Sequence, residues 1–133
     1  MKKLLFLFSL IVLMSCSNSD ETSNSSNSDF HPPSWIQGVW KIDSEFSPEQ
    51  SFSFTSNDFC MTSLGTVKQC YQENVNQLKK SGVTPTVQET ITETTYTAEI
   101  NYFAGQSVIF SFRKISDNSI EWTAVPGSVF VKQ

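Results

Sequence analysis

The sequence predicts a mainly β domain: an antiparallel up-and-down meander that forms a small, half-open barrel, with one helix near residues 67–80. Apolar and polar side chains alternate at period two in most segments after residue 34, which is typical of strands with one buried face. Turn-forming residues separate these segments at short, even intervals. The 104 residues from Phe30 to Gln133 are few for a full eight-stranded barrel, so we expect a half-open barrel with a small cavity.

Three strands are predicted in the first half of the domain. Residues 35–42 are rich in β-prone side chains and contain Gly38, which indicates a bend or close packing. Residues 51–55 alternate at period two. The turn residues Ser56-Asn57-Asp58 separate them from a third strand at 59–62.

Four more strands are predicted in the second half, which brings the total to about seven. In residues 90–103, threonine and glutamate alternate with one apolar face, formed by Tyr96, Ala98, Ile100 and Tyr102. A hairpin loop at 104–106 leads to a strand at 108–113, whose predicted inward side chains are Val108, Phe110 and Phe112. Strands at 120–124 and 128–132 follow, after turns at 116–119 and 126–127.

Residues 66–82 interrupt the β pattern. They could form a hairpin arm, since Gly65 lies midway between Cys60 and Cys70. Four signals favour a helix instead: a capping box at Thr66-x-x-Gln69, lysines in the last turn, a glycine after it, and apolar side chains at helical spacing. Those side chains are Val67, Cys70, Tyr71, Val75 and Leu78. We therefore predict a helix over about 67–80, pinned by Cys70 to the strand that carries Cys60.

The first fifteen residues have the pattern of a signal peptide. Lys2 and Lys3 precede an apolar run at 4–14, which is too short to span a bilayer as a helix. Leu13-Met14-Ser15-Cys16 resembles the bacterial lipobox. The resemblance implies that the signal is removed before Cys16 and that this residue receives acyl chains, such as palmitate, which anchor the protein in the membrane. An ordinary signal peptide followed by a chance cysteine is the alternative.

Residues 16–33 are predicted to be a lipidated cysteine and a flexible tether, followed by the folded domain at 34–133. Residues 17–29 contain no aliphatic or aromatic side chain, and Pro32 and Pro33 stiffen the approach to the domain. The stretch Ser17-Asn18-Ser19-Asp20-Glu21 resembles the export signal of Bacteroidota surface lipoproteins, although a plain acidic spacer would look similar. The expected location is the outer membrane, with exposure at the cell surface if the signal acts.

Charge and cysteine content limit the function classes. Without the signal peptide, seven basic side chains stand against thirteen acidic ones, so the net charge of −6 disfavours nucleic acid as a partner. Cys60 and Cys70 are expected to form a disulfide, because an exported chain enters an oxidising compartment. The only histidine, His31, lies beside the two prolines, so neither a metal site nor any other cofactor is predicted.

One family resemblance rests on the start of the domain and on the order of its strands. The stretch Pro33-Ser34-Trp35-Ile36-Gln37-Gly38-Val39-Trp40 contains a Gly-x-Trp motif similar to that in the first strand of lipocalin-like domains. The chain resembles the small lipocalin-like lipoproteins of Flavobacteriia in the order of its later strand segments. These segments are FSF, TTYTAEINY, VIFSFRKIS and SIEW. The resemblance implies structural roles for Gly38 and Trp40, with Trp40 plugging one barrel end, and no established catalytic activity.

The same resemblance implies that an arginine from the last strand packs on the tryptophan. The only arginine of this chain, Arg113, precedes the last predicted strand.

No enzyme is predicted. A serine hydrolase would need a histidine in the domain, and no carboxylate pair stands out among Asp43, Glu45 and Glu121. Glu89, Glu93 and Glu99 are expected on a solvated face, and the aromatic side chains are expected to fill the core. The first hypothesis is a module that binds a small apolar ligand or a glycan at the cell envelope. The alternative is an interaction protein, an inhibitor or immunity-type lipoprotein that caps a partner.

Overall fold

The computed structural model describes residues 28–45 and 49–133. The signal peptide, Cys16 and most of the predicted tether lie outside the described residues. The secondary structure comprises nine strands and one helix in the order β1 (Gly38–Ile42), β2 (Ser51–Phe54), β3 (Phe59–Ser63), β4 (Val67–Cys70), α1 (Tyr71–Lys80), β5 (Thr86–Ile91), β6 (Thr95–Asn101), β7 (Ser107–Ser116), β8 (Ser119–Trp122) and β9 (Val129–Lys132).

All nine strands belong to one antiparallel sheet, which curls into a half-barrel. The order across the sheet is β4-β3-β2-β1-β9-β8-β7-β6-β5. The two edge strands, β4 and β5, are consecutive in the chain, and α1 connects them. This architecture confirms the predicted mainly β fold with an open barrel and one helix.

The half-barrel has two different ends. We call one the strap end, because residues 28–36, the strap, contact it; the β2–β3, β5–β6 and β7–β8 turns lie there. We call the other the mouth, where the β1–β2, β3–β4, β6–β7 and β8–β9 connections lie. The assignment follows from the antiparallel register, since each strand reverses the direction of its neighbour.

The inner face of the sheet carries an aromatic core. Tyr96, Ala98 and Ile100 are fully buried, as the period-two pattern of β6 predicts. Phe110 and Phe112 of β7 are also buried, but Val108 is 41% exposed because it lies at the mouth. The largest fully buried side chains are Trp40, Tyr96, Phe30, Phe52, Phe59, Phe112, Phe130, Ile36, Ile100, Ile120 and Val75.

The helix begins four residues later than the sequence indicates. Residues 67–70 form strand β4, which pairs with β3 through a turn at Leu64-Gly65. The alternative prediction of a hairpin arm is therefore correct for these four residues. Cys60 and Cys70 lie directly opposite each other in this pair and form the predicted disulfide. The apolar positions within α1, Tyr71 and Val75, are buried as helical spacing predicts. Because Cys70 is held opposite Cys60, the helix can start only after it.

The N-terminus of α1 is capped from another part of the chain. Cys70 stands at the N-cap position and makes no side-chain cap. The backbone N–H of Gln72 instead donates to Oδ1 of Asp58, at 2.8 Å, in the β2–β3 turn. The predicted capping box at Thr66 does not form, since Thr66 belongs to the β3–β4 turn. A tertiary contact thus replaces the local cap.

Residues 90–103 form parts of two strands instead of one, which together with β4 raises the strand count from about seven to nine. The backbone N–H of Thr92 donates to the carbonyl of Thr95 at 2.9 Å, and the N–H of Thr95 donates to Oγ1 of Thr92 at 2.8 Å. This turn separates β5 from β6. It also separates the three glutamates predicted on one solvated face: Glu89 in β5, Glu93 in the turn and Glu99 in β6.

The strap extends the folded part beyond the predicted boundary at residue 34. Phe30 is fully buried, with its ring edge-on to Phe59 at a centroid distance of 5.3 Å. Both carboxylate oxygens of Asp29 accept hydrogen bonds from Lys79 Nζ, at 2.8 and 2.7 Å. The side chain of Gln72 also bonds to the backbone N–H and carboxylate of Asp29. Residues 28–33, assigned to the tether from sequence, therefore contact the core and the helix.

Candidate functional site

Trp40 is fully buried, at the strap end of the half-barrel. Its indole Nε1–H donates to the carbonyl of Ile36 at 2.6 Å. Lys132, in the last strand, places Nζ 5.2 Å from the centre of the Trp40 ring. Arg113 forms an ion pair with Glu121 instead, so a lysine occupies the place where the resemblance implies an arginine. A cation over an indole face is a favourable contact.

Gly38 makes room for this lysine. Its φ of +123° lies in a region that L side chains rarely adopt, and a Cβ there would stand 3.0 Å from Cε of Lys132. The lysine stem therefore passes over Gly38 on its way to Trp40. Gly38 and Trp40 together shape the closed end of the half-barrel.

A polar group that the sequence does not reveal joins the strap to the sheet. Glu89, whose side chain is only 11% exposed, accepts hydrogen bonds from the backbone N–H of His31 and the hydroxyl of Tyr96, each at 2.7 Å. Nδ1 of His31 lies 3.0 Å from the second carboxylate oxygen. Burial raises the pKa of Tyr96, and the bond to Glu89 raises it further, so the phenol remains a donor. Glu89 is therefore not part of a solvated face.

This polar group stabilises the strap and does not resemble a hydrolase centre. In the described part of the chain, no serine or cysteine is hydrogen-bonded to the His31 ring. The predicted carboxylates do not form a pair either: Asp43 and Glu45 are exposed after β1, whereas Glu121 bonds to Arg113 in the neighbouring strand. Asp58 lies close to both cysteine sulfurs, but these are joined as a disulfide and offer no thiolate to a metal.

The mouth is lined by apolar side chains that are only partly buried. They lie on the inner face at the mouth end of five strands or their extensions: Ile42, Met61, Val87, Tyr102 and Trp122. Trp122 packs against Phe52 and Phe110, with ring centres 5.4 and 6.4 Å away. Its indole Nε1–H is buried and has no hydrogen-bond partner among the described residues. A buried donor without an acceptor is costly, which makes the Trp122 N–H a candidate binding group.

Three hairpin turns around the mouth carry exposed apolar residues. Leu64 is 66% exposed and Phe103 is 74% exposed, and Val125 is also exposed. Leu64 and Ala104, which follows Phe103, have φ values of 55° and 57°, in the left-handed region. Asparagine or glycine usually occupies this position of a two-residue hairpin turn. The two turns thus hold strained apolar residues that gain little from packing.

Two cavities in the described part open on the outer surface. One of about 190 Å³ lies beside the β1–β2 connection and is lined mainly by polar side chains, including Lys41, Glu49 and Thr62. A more open one of about 200 Å³ lies between β4 and α1, next to Cys70 and Glu73. The second cavity has a mainly polar lining, which suits a hydrogen-bonding ligand. The first exposes polar and apolar surface in similar proportion, which suits a ligand with both kinds of group.

Comparisons of the chain with protein-family models, curated proteins and solved structures find no match. Among residues 28–45 and 49–133, no helix has both the length and the apolar character needed to cross a membrane.

Proposed function

We propose that this protein is a lipid-anchored lipoprotein of the outer membrane, held by acylated Cys16, whose lipocalin-like half-barrel binds a small apolar ligand at the mouth. The observation that supports it most directly is the group of half-buried apolar side chains around the unpartnered indole N–H of Trp122. Small-molecule sites combine an apolar lining with a few polar groups that orient the ligand.

The depth of the site limits the ligand. Beyond the mouth, the inner face is occupied by packed aromatic rings such as Phe52, Phe112 and Phe130. A ligand therefore contacts the rim side chains and does not run through the barrel. The Trp122 N–H is shielded from solvent by its neighbours, so we infer that rim side chains move aside when a ligand binds. The N–H then selects a ligand with one hydrogen-bond acceptor, such as a carboxylate, attached to an apolar body.

A fatty acid of medium chain length is the appropriate probe. Decanoate titrated into the mature chain carrying Cys16→Ala should shift tryptophan fluorescence and appear as a bound species in native mass spectrometry. Trp122→Phe keeps an aromatic ring but removes the N–H, so we expect affinity to fall by about 3- to 10-fold, the value of one hydrogen bond. Trp35→Phe, at the strap end, is the matched control and should leave affinity unchanged. Equal affinities of wild type and Trp122→Phe would contradict the proposal.

A glycan is the other ligand class, and the cavity beside Lys41 and Glu49 supports it. Its volume of about 190 Å³ accommodates part of a sugar, and its lining offers both donors and acceptors. Chemical-shift changes confined to Lys41, Ser51 and Thr62 on titration with monosaccharides would favour this class over the apolar ligand.

The second candidate function is an envelope interaction protein that caps a partner. The exposed Leu64 supports it, because backbone strain kept without a packing gain often marks a functional surface. Phe103 adds a second exposed apolar side chain, directly before the strained Ala104. Leu64→Asn suits the left-handed φ better and should not reduce the stability of the fold. If one envelope protein co-purifies with wild type and not with the double variant Leu64→Asn and Phe103→Ser, this function is favoured. Equal recovery with both proteins would argue against it.

A further inference from the structure

The two edges of the sheet are protected to different extents. β4 has only four residues, is tied to β3 by the Cys60–Cys70 disulfide, carries Lys68 and contacts α1. β5 has six residues, none of which is lysine or proline. Short length, positive charge and covering elements are the devices that keep edge strands from pairing with other chains. By this measure β4 is a blocked edge. The strap contacts β5 at the Glu89 side chain and at the carbonyl of Thr92, just after the strand, so covering is partial there and the question is whether the backbone edge itself is free.

The register shows which backbone groups of β5 face the open side. Thr92 and Thr95 form a hydrogen-bonded pair, and such pairs alternate along an antiparallel ladder. Gln88 and Thr90 therefore direct their N–H and C=O groups towards β6. Val87, Glu89 and Ile91 direct theirs away from it.

An independent bond supports this assignment. The N–H of Lys114 donates to the carbonyl of Thr94 at 2.8 Å, which by the same alternation turns Tyr96 and Ala98 of β6 towards β7 and not towards β5. In the described part of the chain, no backbone or side-chain group bonds to the outward N–H and C=O groups of Val87, Glu89 and Ile91. A row of free donors and acceptors at strand spacing is complementary to the backbone of an extended chain.

The side chains around this edge indicate the character of that chain. On the inner face, Val87 is half-buried and Ile91 is 45% exposed, so apolar side chains of an added strand would cover them. Glu99 lies opposite Gln88 on the outer face, and Glu93 is exposed in the adjacent turn. Neither glutamate forms an ion pair with any described residue. The nearest outer-face neighbours of an added strand are the uncharged Thr86, Gln88 and Thr90, and Glu99 lies one strand further away, at about 10 Å. A long basic side chain on the added strand extends towards this uncompensated negative charge.

We propose that the β5 edge is an interaction surface that accepts an extended segment of a partner protein as a tenth strand. The segment has apolar side chains at alternate positions, facing inward, and basic side chains at the positions between them. This surface shares Val87 with the mouth, but it is formed mainly by the backbone of β5 and does not depend on ligand binding at the mouth.

A second copy of this chain fits the edge less well. β5 carries no basic residue, so the β5 of another copy would leave Glu93 and Glu99 unpaired. Charge therefore favours a basic foreign segment.

Amide hydrogen exchange on the mature chain carrying Cys16→Ala tests the proposal with a control inside the strand. The probe is the end-capped peptide Lys-Val-Lys-Ile-Lys-Val-Lys. At saturation, the amides of Val87, Glu89 and Ile91 should exchange at least 10-fold more slowly than in the free protein. The amides of Gln88 and Thr90, which already bond to β6, should not change. Protection without this alternation, or none at millimolar peptide, would overturn the proposal.

Further controls separate backbone pairing from charge. Two N-methylated peptides test the backbone pairing: one is methylated at each valine and isoleucine, the other at each lysine. Only one of the two sets of N–H groups faces β5, so one of these peptides should fail to bind and the other should bind. Glu99→Gln should weaken binding several-fold without altering the fold. A peptide with glutamate in place of lysine that binds as tightly as the basic one would overturn the charge assignment.

The amides of Val87, Glu89 and Ile91 are also measured without peptide at several protein concentrations. Protection that increases with protein concentration would overturn the proposal of a foreign segment and favour a second copy of this chain. Decanoate binding is measured separately, so either proposal can fail alone.

Discussion

At the scale of single residues, Trp40 connects segments that are far apart in the chain. Its N–H bonds to Ile36 of the strap, its backbone lies in β1, and its ring carries Lys132 from the last strand. The tryptophan is fully buried, so its removal leaves a large void at the strap end. Lys132, whose side chain lies above the Trp40 ring, is exposed. Its contribution to stability is therefore the small one of an exposed cation–π contact.

Trp40→Ala is expected to lower the free energy of unfolding by about 3 to 5 kcal/mol, the usual cost of truncating a buried tryptophan. Lys132→Met keeps the apolar stem but removes the charge, and should cost only about 0.5 to 1 kcal/mol. Urea unfolding of both variants measures the two effects. An unchanged midpoint for Trp40→Ala would mean that the tryptophan does not support the core.

At the scale of elements, α1 depends on a residue outside itself. The carboxylate of Asp58 accepts the N–H of Gln72, in the first turn of the helix. Burial raises the pKa of Asp58, although hydrogen bonds from the helix N–H groups oppose that shift. The β2–β3 turn therefore helps to decide where the helix starts.

Asp58→Ala should cost about 0.5 to 2 kcal/mol, the range for losing an N-cap. Asp58→Asn keeps an acceptor oxygen and should cost less. Urea unfolding gives the stability, and hydrogen exchange of the Gln72 amide reports the cap itself. If that amide exchanges equally fast in wild type and Asp58→Ala, the cap does not form.

The strap is a second element that tertiary contacts hold, and part of its stability depends on pH. Burial opposes ionisation of Asp29, but hydrogen bonds from Lys79 and Gln72 outweigh it and lower the pKa below the usual value of 3.8. A lowered carboxyl pKa gives stability that is present above the unfolded pKa and is lost as pH falls through the folded one. The contribution is therefore full at pH 6 and declines below about pH 4.

Asp29→Asn removes this titration and keeps most of the shape. We expect wild type to exceed Asp29→Asn in stability at pH 6, by at most about 1 kcal/mol for a partly exposed pair, and the difference to shrink by pH 3. Thermal unfolding of both proteins across this range measures it. A difference that stays constant with pH would exclude the Asp29–Lys79 pair as its source.

At the scale of the whole molecule, the half-barrel is closed at one end and open at the other. The strap, including Ile36, and Trp40 fill the closed end. Half-buried side chains such as Tyr102 and Trp122 line the mouth. Residue 28, which begins the strap, is bonded to the β2–β3 turn and to α1. The lipid anchor proposed at Cys16 is therefore expected to join the domain at the strap end.

Cys16→Ala is expected to release the protein from the membrane, because acyl chains on this residue are the proposed anchor. Membrane fractionation and metabolic palmitate labelling measure the change, with Cys60→Ser and Cys70→Ser together as the control that should keep the label. Palmitate incorporation that persists in Cys16→Ala would contradict the lipoprotein assignment.

The sequence by itself determined most of the local structure. Alternation at period two predicted the face of β6 that is buried, and turn residues predicted the hairpins at 104–106 and 126–127. The disulfide followed from two cysteines in a chain that the sequence predicts to be exported. These features depend on residues close together in sequence, or on compartment, so a single sequence contains their signals. The lipid anchor remains a prediction of the same kind.

Only the tertiary structure decided the rest. Residues 67–70 have helical spacing in the sequence, but they form a strand because they pair with β3. The N-terminus of α1 is capped by Asp58, which is distant in sequence. The contact of His31 with Glu89, and that of Lys132 with Trp40, joins segments at least 58 residues apart. No local pattern encodes such contacts, because the partners meet only when the sheet curls and the strap crosses its end. The open edge of β5 has the same origin, since an edge exists only once the order of the strands is known.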